Sequence, residues 1–592
     1  MFILAAKVRV ASVSANSKIQ SFFEGKKYCQ WRKGTTPGNP PNSTRASSLH
    51  HEKNYLSFMK TLYLYLSLAL SVFLILSCNS PSAKLPEPVK RDTSISVTNS
   101  YSELFFDSTQ LESFIAREDL HDSLAISLRN FYNQRNYQYA WFFPEGIADY
   151  ANTFLNLQSD YFHYSGDSSI YTPALQPLID SLSDSTTYRH SPDSLKLKTE
   201  LLLTRQFFRY ASRAYAGRRD INTKDLGWFI PRKKMDAVIF LDSLLKNKGQ
   251  NLSAYEPVNR QYNLLKDYLL KYYAIEKGNG WTPIPVPTTK KSLREGDSSE
   301  TIALLKKRLF LYGDLKEADS SQLFNTSLTA ALKNYQRRFG LKEDGIAGPA
   351  LLTQMNKPVS ERIKQILINM ERIRWVPAEP TGDYLLVNIP EYRLHVYENG
   401  KYAWNMDVVV GSAAHNTVIF NGDMKYVVFS PYWNVPPGIL KAEVLPGIKR
   451  NKNYLASHNM EWNGGNVRQK PGPRNSLGLV KFLFPNSYNI YLHDTPAKSL
   501  FNENSRAFSH GCIRLAEAKK LALYLLRNDP AWDSLSITKA MNAGKEKYVT
   551  LKKTIPVFIG YFTAWVDRQG QLNFRDDVYG HDKEMAERLF AK

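Results

Sequence analysis

The run Ser509-His510-Gly511-Cys512-Ile513-Arg514-Leu515 holds the one thiol expected in the mature fold besides Cys78. A second histidine, His493, ends an alternating stretch, Tyr491-Leu492-His493-Asp494-Thr495. Nineteen positions separate His493 from Cys512, enough for the chain to return across a sheet and bring the two side chains together. A thiol attacks as its thiolate, and at neutral pH it needs a base or a positive surrounding to form one. Leu515, Ala518, Leu521, Ala522 and Leu525 recur at helical spacing. That spacing predicts a helix over 515–527, with Cys512 just before its amino terminus. There the dipole and free N–H groups favour negative charge and could receive an oxyanion.

Three chemistries fit these residue types. A buried structural cysteine is the plainest, but the flanking His-Gly, polar Ser509 and Arg514 are odd company for a hydrophobic plug. His493, His510 and Cys512 are zinc-ligand types, yet no general base stands in register with them. A cysteine nucleophile with a histidine base accounts best for the whole set. On that reading no metal and no cofactor is expected.

The positioning elements are read from periodicity. Tyr384 to Ile389, Arg393 to Tyr397 and Tyr402 to Val410 alternate as strands, with a hairpin turn at Glu398-Asn399-Gly400-Lys401 carrying the Asn-Gly signal. Further strands are expected at 424–430, 480–484, 488–493, 556–566 and 572–574. The Pro/Gly/basic stretch 436–478, with helical hints at 439–449, is too long for a plain connection and is expected to be a lid. Upstream, residues 101–285 read as a helical domain dense in aromatics, and Gly278 to Pro287 as a linker. Residues 286–358 form a compact unit with apolar helical faces at Ile302, Leu305, Leu309 and at Leu328, Leu332, Tyr335, Phe339. A connecting helix is expected within 359–381. The fold class is therefore multidomain α+β: a helical domain, a small three-helix domain, and a mainly-β sandwich over 382–592 with a capping insert.

The chain has 592 residues, 43% hydrophobic and 22% charged, as folded globular material does. Lys+Arg 77 against Asp+Glu 55 gives +22, a surplus that suits any polyanion. Three cysteines, Cys29, Cys78 and Cys512, exclude a disulfide framework and a four-cysteine zinc site. From Met59 a basic start, an uncharged stretch from Leu62 to Leu76 and Ser77-Cys78 read as a secretory signal, 59–77. The stretch is shorter than the roughly 20 residues of a spanning helix. It resembles the lipobox of bacterial lipoproteins, which implies lipidation at Cys78 and a tether over 78–100. Residues 1–58 hold nine Lys/Arg against two Asp/Glu. They precede the signal and are expected to be an upstream extension, untranslated or disordered. Without them the basic surplus falls, and no nucleic-acid partner is expected.

Two resemblances extend this reading. Leu293-Arg294-Glu295-Gly296-Asp297, Phe339-Gly340-Leu341 and Asp344-Gly345-Ile346-Ala347-Gly348-Pro349 resemble the small three-helix peptidoglycan-binding domain. His493 followed by Ser509-His510-Gly511-Cys512 resembles the signature of the YkuD-type L,D-transpeptidases. Phe131 to Trp141, Phe429 to Pro436 and Tyr491 to Pro496 are like stretches of the large, scaffold-containing murein class. The resemblance implies Cys512 as nucleophile, His493 as general base, and the Asp494 backbone carbonyl orienting the imidazole. It implies Gly511, with His510, at the oxyanion hole, and Arg514, Ser509, Tyr432 and Trp433 toward substrate. It further implies 3→3 cross-linking of peptidoglycan through a thioester on a tetrapeptide stem. L,D-carboxypeptidase trimming, or plain anchoring to the wall, is the alternative. The partners implied are donor and acceptor stems, a membrane through the lipid, and cell-wall synthases and D,D-carboxypeptidases. A monomer in the envelope, facing the periplasm, is expected.

Overall fold

The computed structural model describes residues 87–100, 102–251, 256, 258–278, 281–286, 290–317, 319–377 and 380–590. The expectations for 1–58, the signal at 59–77 and lipidation at Cys78 lie outside the described residues.

The described chain from 102 to 277 is largely helical. Its longest helix, Asp193–Ala216, is rich in Leu, Ala, Lys and Arg and ends at Gly217. Such straight-chain residues lose little rotamer freedom in a helix. Phe131, Trp141, Phe154 and Phe207 are fully buried around it. The expected tether does not run free over 87–100. Val89 N donates to Asn130 Oδ1 (2.8 Å), Asp92 N to Asn133 O (2.8 Å), and Asn136 Nδ2 to Ile95 O (2.8 Å). Asparagine side chains of the helical domain thus supply backbone partners to a segment whose Pro/Ser composition alone suggested a spacer.

The next unit has the three helices expected of it, Glu300–Tyr312, Thr326–Arg338 and Pro349–Met355. Tyr335 and Phe339 stack at 3.9 Å in its core. The connecting helix, Val359–Trp375, then leads into the sheet.

Nine strands make one mixed sheet: β1 (Tyr384–Asn388), β2 (Arg393–Glu398), β3 (Lys401–Gly411), β4 (Asn421–Phe429), β5 (Val480–Leu483), β6 (Leu492–His493), β7 (Ala507–Ser509), β8 (Ile513–Leu515) and β9 (Lys547–Gly560). Their order is β7-β3-β8-β6-β5-β4-β9-β1-β2. β2 pairs again with β3, so the sheet closes on itself. The first half of β3 meets β2 while its second half meets β8, so one long strand serves both ends. Asn399 (φ 49°) and Gly400 (φ 74°) make the β2–β3 turn with both central residues in the left-handed region, as a two-residue turn between twisted strands requires.

Three expectations change here. β9 starts at Lys547 and stops at Gly560, whereas the sequence suggested a strand over 556–566. Ala564–Val566 instead forms a separate hairpin with Leu572–Phe574. Ala564, Val566, Leu572 and Phe574 are buried in the core shared by the helical and three-helix units. Residues 382–592 are therefore not one packing unit, because this apolar hairpin finds its burial against helices. Lastly, residues 513–515 are strand β8 and the helix begins only at Ala518. Cys512 therefore precedes a strand, not a helix amino terminus. Leu515, expected to open the helix, is instead held in β8 by its pairing with Val408 of β3.

The insert at 436–478 is a structured cap. Helical turns span 437–450, and Trp433–Asn434, Asn466–Gln469 and Met460–Asn463 form a small sheet. It has its own buried cluster: Val435, Val444, Met460 and Val467.

Candidate active site

β6 and β8 run parallel, with Leu492 opposite Ile513 and His493 opposite Arg514. Ile513 N donates to Tyr491 O at 3.1 Å, which carries the alignment one residue further. Side chains alternate along a strand, so His493 and Tyr491 share a face with Arg514 and Cys512. The sheet itself, rather than a helix end, brings the thiol and the imidazole to one side.

His493 is buried, at 4% exposure. Its Nδ1 lies 2.6 Å from the carbonyl oxygen of Asp494. A carbonyl only accepts, so Nδ1 carries the hydrogen and Nε2 keeps its lone pair. Burial is the main cause that lowers this imidazole to about 4; Arg514 and Lys481 add to it, and the Asp494 carbonyl opposes it. Lys481 and Arg514 are its register partners on the two neighbouring strands. At neutral pH the ring is uncharged and able to take a proton.

Cys512 is half-buried. Its Sγ lies 3.6 Å from the carbonyl oxygen of Asn489. Crowding around the sulfur pushes the thiol up; hydrogen bonding from Tyr491 and the charge of Arg514 pull it back part of the way. Neutral imidazole and neutral thiol are thus the resting forms, and the thiolate forms when its proton is taken.

The loop between β7 and β8 is held from inside. Ser509 Oγ donates to Cys512 O (2.5 Å) and accepts from Gly511 N (3.1 Å). Thr417 Oγ1 donates to Gly511 O (2.8 Å) and accepts from Gly411 N (2.9 Å). Gly511 has φ 110°, a conformation that side chains disfavour. Ser509 is 3% exposed, so the expectation that it faces substrate is corrected: both its bonds shape the loop. Its Gly511 bond also engages one N–H that had been expected at the oxyanion hole. His510 points outward, with Nε2 3.3 Å from Glu443 Oε1 of the cap and its ring 4.8 Å from that of His415.

Tyr432 and Trp433 lie at the root of the cap. Tyr432 sits under the Arg468 guanidinium at 4.1 Å, and its N–H donates to Glu546 Oε1 (3.0 Å). Trp433 packs on the cap's buried cluster and pairs with Gln469. Both serve the cap's architecture. Sequence reasoning missed Thr417, Asn489 and Tyr491. Tyr491 was within reach, since it stands two places before His493 in an alternating strand. Thr417 and Asn489 sit in irregular loops with no periodic signal. Both loops are braced by the helical domain: Phe229 N donates to Ile419 O (2.8 Å), and Phe229 packs on Tyr488 at 5.2 Å.

A thiol and a neutral imidazole thus stand on one side of a closed mixed sheet, beside a cap. Comparison with known proteins identifies the domains. Residues 382–532 match the L,D-transpeptidase catalytic domain (YkuD), residues 126–269 a scaffold domain, and residues 298–355 a peptidoglycan-binding domain. The chain thus carries a YkuD-type L,D-transpeptidase catalytic domain together with a scaffold domain and a peptidoglycan-binding domain. An inferred L,D-transpeptidase of Haemophilus influenzae is 32% identical over 243 residues, 38% of this chain and 49% of the relative. The match thus spans about half the length of that relative. Similar solved structures include an L,D-transpeptidase of Xylanimonas cellulosilytica (14% identity, 46% of this chain, 100% of that one, TM-score 0.17). Another comes from Stackebrandtia nassauensis (18%, 47% and 98%, TM-score 0.20).

Proposed function

We propose that the protein joins peptidoglycan stems through 3→3 cross-links, with Cys512 as nucleophile and His493 as general base. The observation that carries this is the alignment of β6 with β8. It sets Cys512 and His493 on one face, with the imidazole held by Asp494 O so that Nε2 is free to accept. In the first step Nε2 takes the Cys512 proton as sulfur attacks the carbonyl of the third residue of a tetrapeptide stem. The carbon–nitrogen bond to the terminal D-Ala breaks, His493 returns the proton to the departing amine, and a thioester remains. The side-chain amine of a second stem then attacks that thioester. His493 removes the amine's proton and passes it to the sulfur, which leaves as the regenerated thiol. The free side of the oxyanion is met by the Cys512 N–H with His510 nearby, and Arg514 offers a planar guanidinium to a stem carboxylate.

Water in place of the acceptor amine would yield a tripeptide, so the cap's exclusion of water decides between joining and trimming. We also infer, from the segment 59–78 alone, an exported protein held to the envelope membrane by lipid on Cys78 and facing the periplasm. Cell-wall synthases and D,D-carboxypeptidases are its proposed protein partners. The test is mass spectrometry of muropeptides made from defined tetrapeptide substrate. The parent protein should yield 3→3 dimers and free D-Ala, and Cys512→Ala neither. Dimers undiminished in that variant would overturn the assignment.

A further inference from the structure

A cavity of about 950 Å³ does not contain Cys512, His493, His510 or Arg514. It lies where β1, β2 and the start of β3 face the helix Arg260–Lys277, the end of Thr326–Arg338 and the C-terminal hairpin. Its volume is in the range of sites that enclose a small ligand.

The lining is unequal in charge. Eight cations (Arg260, Arg337, Lys342, Arg393, Lys401, Arg506, Arg568 and Arg575) face three carboxylates (Glu343, Glu391 and Asp567). Arg393 and Arg506 are paired with Asp407, and Glu391 is engaged by His395 at 2.9 Å. Among the described residues, no carboxylate lies within ion-pair distance of Arg260, Lys342, Lys401, Arg568 or Arg575. The Arg575 guanidinium donates instead to the carbonyls of Arg338 (2.7 Å), Phe574 (2.8 Å) and Arg337 (3.3 Å). Burial, with Arg393 and Arg506, lowers it to about 10, and Glu391 and Asp576 pull it back only in part. A desolvated cation whose carboxylate neighbours only partly offset its burial is costly, and an entering anion relieves that cost. Aromatic faces stand among these charges: Arg568 lies 3.6 Å over the Tyr402 ring and Arg575 4.9 Å over Trp565.

We propose that this cavity is a second binding site, apart from the thiol, for a carboxylate-bearing segment of peptidoglycan. Stem carboxylates would meet Lys401, Arg568 and Arg575, and Tyr402 and Trp565 would hold the two guanidinium planes in place for them. The inference rests on peptidoglycan being the protein's substrate. The site is assembled from catalytic, scaffold and peptidoglycan-binding domains at once, so a strand held here is held at a fixed offset from the nucleophile.

The test uses the full chain and a disaccharide-tripeptide, which has no D-Ala to lose and so cannot act as a donor. Isothermal titration should show binding that weakens at least tenfold in Lys401→Glu/Arg568→Glu. Both side chains are exposed, so the fold should survive, as an unchanged melting temperature would verify. Trp565→Ala is the second variant and should weaken binding without altering charge. A neutral chitin tetrasaccharide should bind far more weakly than the disaccharide-tripeptide. Equal affinity of parent and both variants for the disaccharide-tripeptide, or equal affinity of the parent for the neutral sugar, overturns the proposal. Turnover of a soluble tetrapeptide by the variants is read in parallel. Its absence in the parent counts against the proposed function, while loss of binding in the variants still upholds the site.

Discussion

At the scale of single residues, the proposed reaction starts from an imidazole that is neutral and a thiol that is not yet ionised. His493 is lowered to about 4 by burial and by Arg514 and Lys481, and the Cys512 thiol is raised by burial. Turnover should therefore fall at acid pH with a midpoint near that of His493. Alkylation of Cys512 by iodoacetamide should still be gaining rate above the ordinary thiol range. A thiol titrating near pH 6, as in a resting thiolate–imidazolium pair, would contradict this account. His493→Gln should lower kcat/KM by about 10²–10⁴-fold, the usual worth of a positioned general base. The same shift acts on stability. An unfolded histidine titrates near about 6.5, so between there and about 4 the unfolded chain binds the proton first. The contribution of His493 is complete above about 6.5 and is lost as pH falls toward 4. A melting series should show His493→Gln losing less stability over that interval than the parent.

At the scale of elements, the cap is tied to the rest by short strands and has a separate four-residue core, Val435, Val444, Met460 and Val467. It touches the thiol loop through Glu443 and His510, a pair exposed enough to be worth about 1 kcal/mol or less. We expect the cap to open without unfolding the sheet. Val467→Asp places an unpaired charge in that core, which is among the mechanisms of large destabilisation. We expect it to disorder the cap alone. Bulky maleimides should label Cys512 faster, cross-linking should fail, and the main melting transition should move by only a few degrees. A full collapse of that transition would show the cap and sheet to be one cooperative unit.

At the scale of the whole chain, the catalytic sheet is built into the helical domains rather than strung after them. Arg374 of the connecting helix donates from Nε to Ala214 O (2.8 Å) and from Nη2 to Tyr262 OH (2.6 Å). Asn369 Nδ2 donates to Thr563 Oγ1 (2.8 Å). Gln261 donates to Val566 O (2.8 Å) and accepts from Val566 N (3.0 Å). The hairpin 564–574 inserts Phe574 against Tyr272 and Phe339 at 6.0 and 5.4 Å. Phe574→Ala should cost about 3–5 kcal/mol and, although Phe574 lies far along the chain, should lower the melting of the upstream helices. Helical circular dichroism would report it; helices that melt as in the parent would show the hairpin to be an independent appendage.

Local chemistry was legible in the order of residues. The Asn-Gly turn, the strands β1 to β4 and the apolar faces of the short helices follow from periodicity and turn preference. These are properties of neighbours in the chain. What only the folded molecule decided involves partners far apart in sequence. Leu515 suits the start of a helix by spacing, and pairing with Val408 of β3 made it strand. Ser509 could face substrate or its own loop, and the bond to Cys512 O turned it inward. The hairpin 564–574 reads as part of the sheet, yet its apolar face is buried by helices placed hundreds of residues earlier. Each case turns on which distant surface excludes water or supplies a hydrogen bond, and that choice is made in three dimensions.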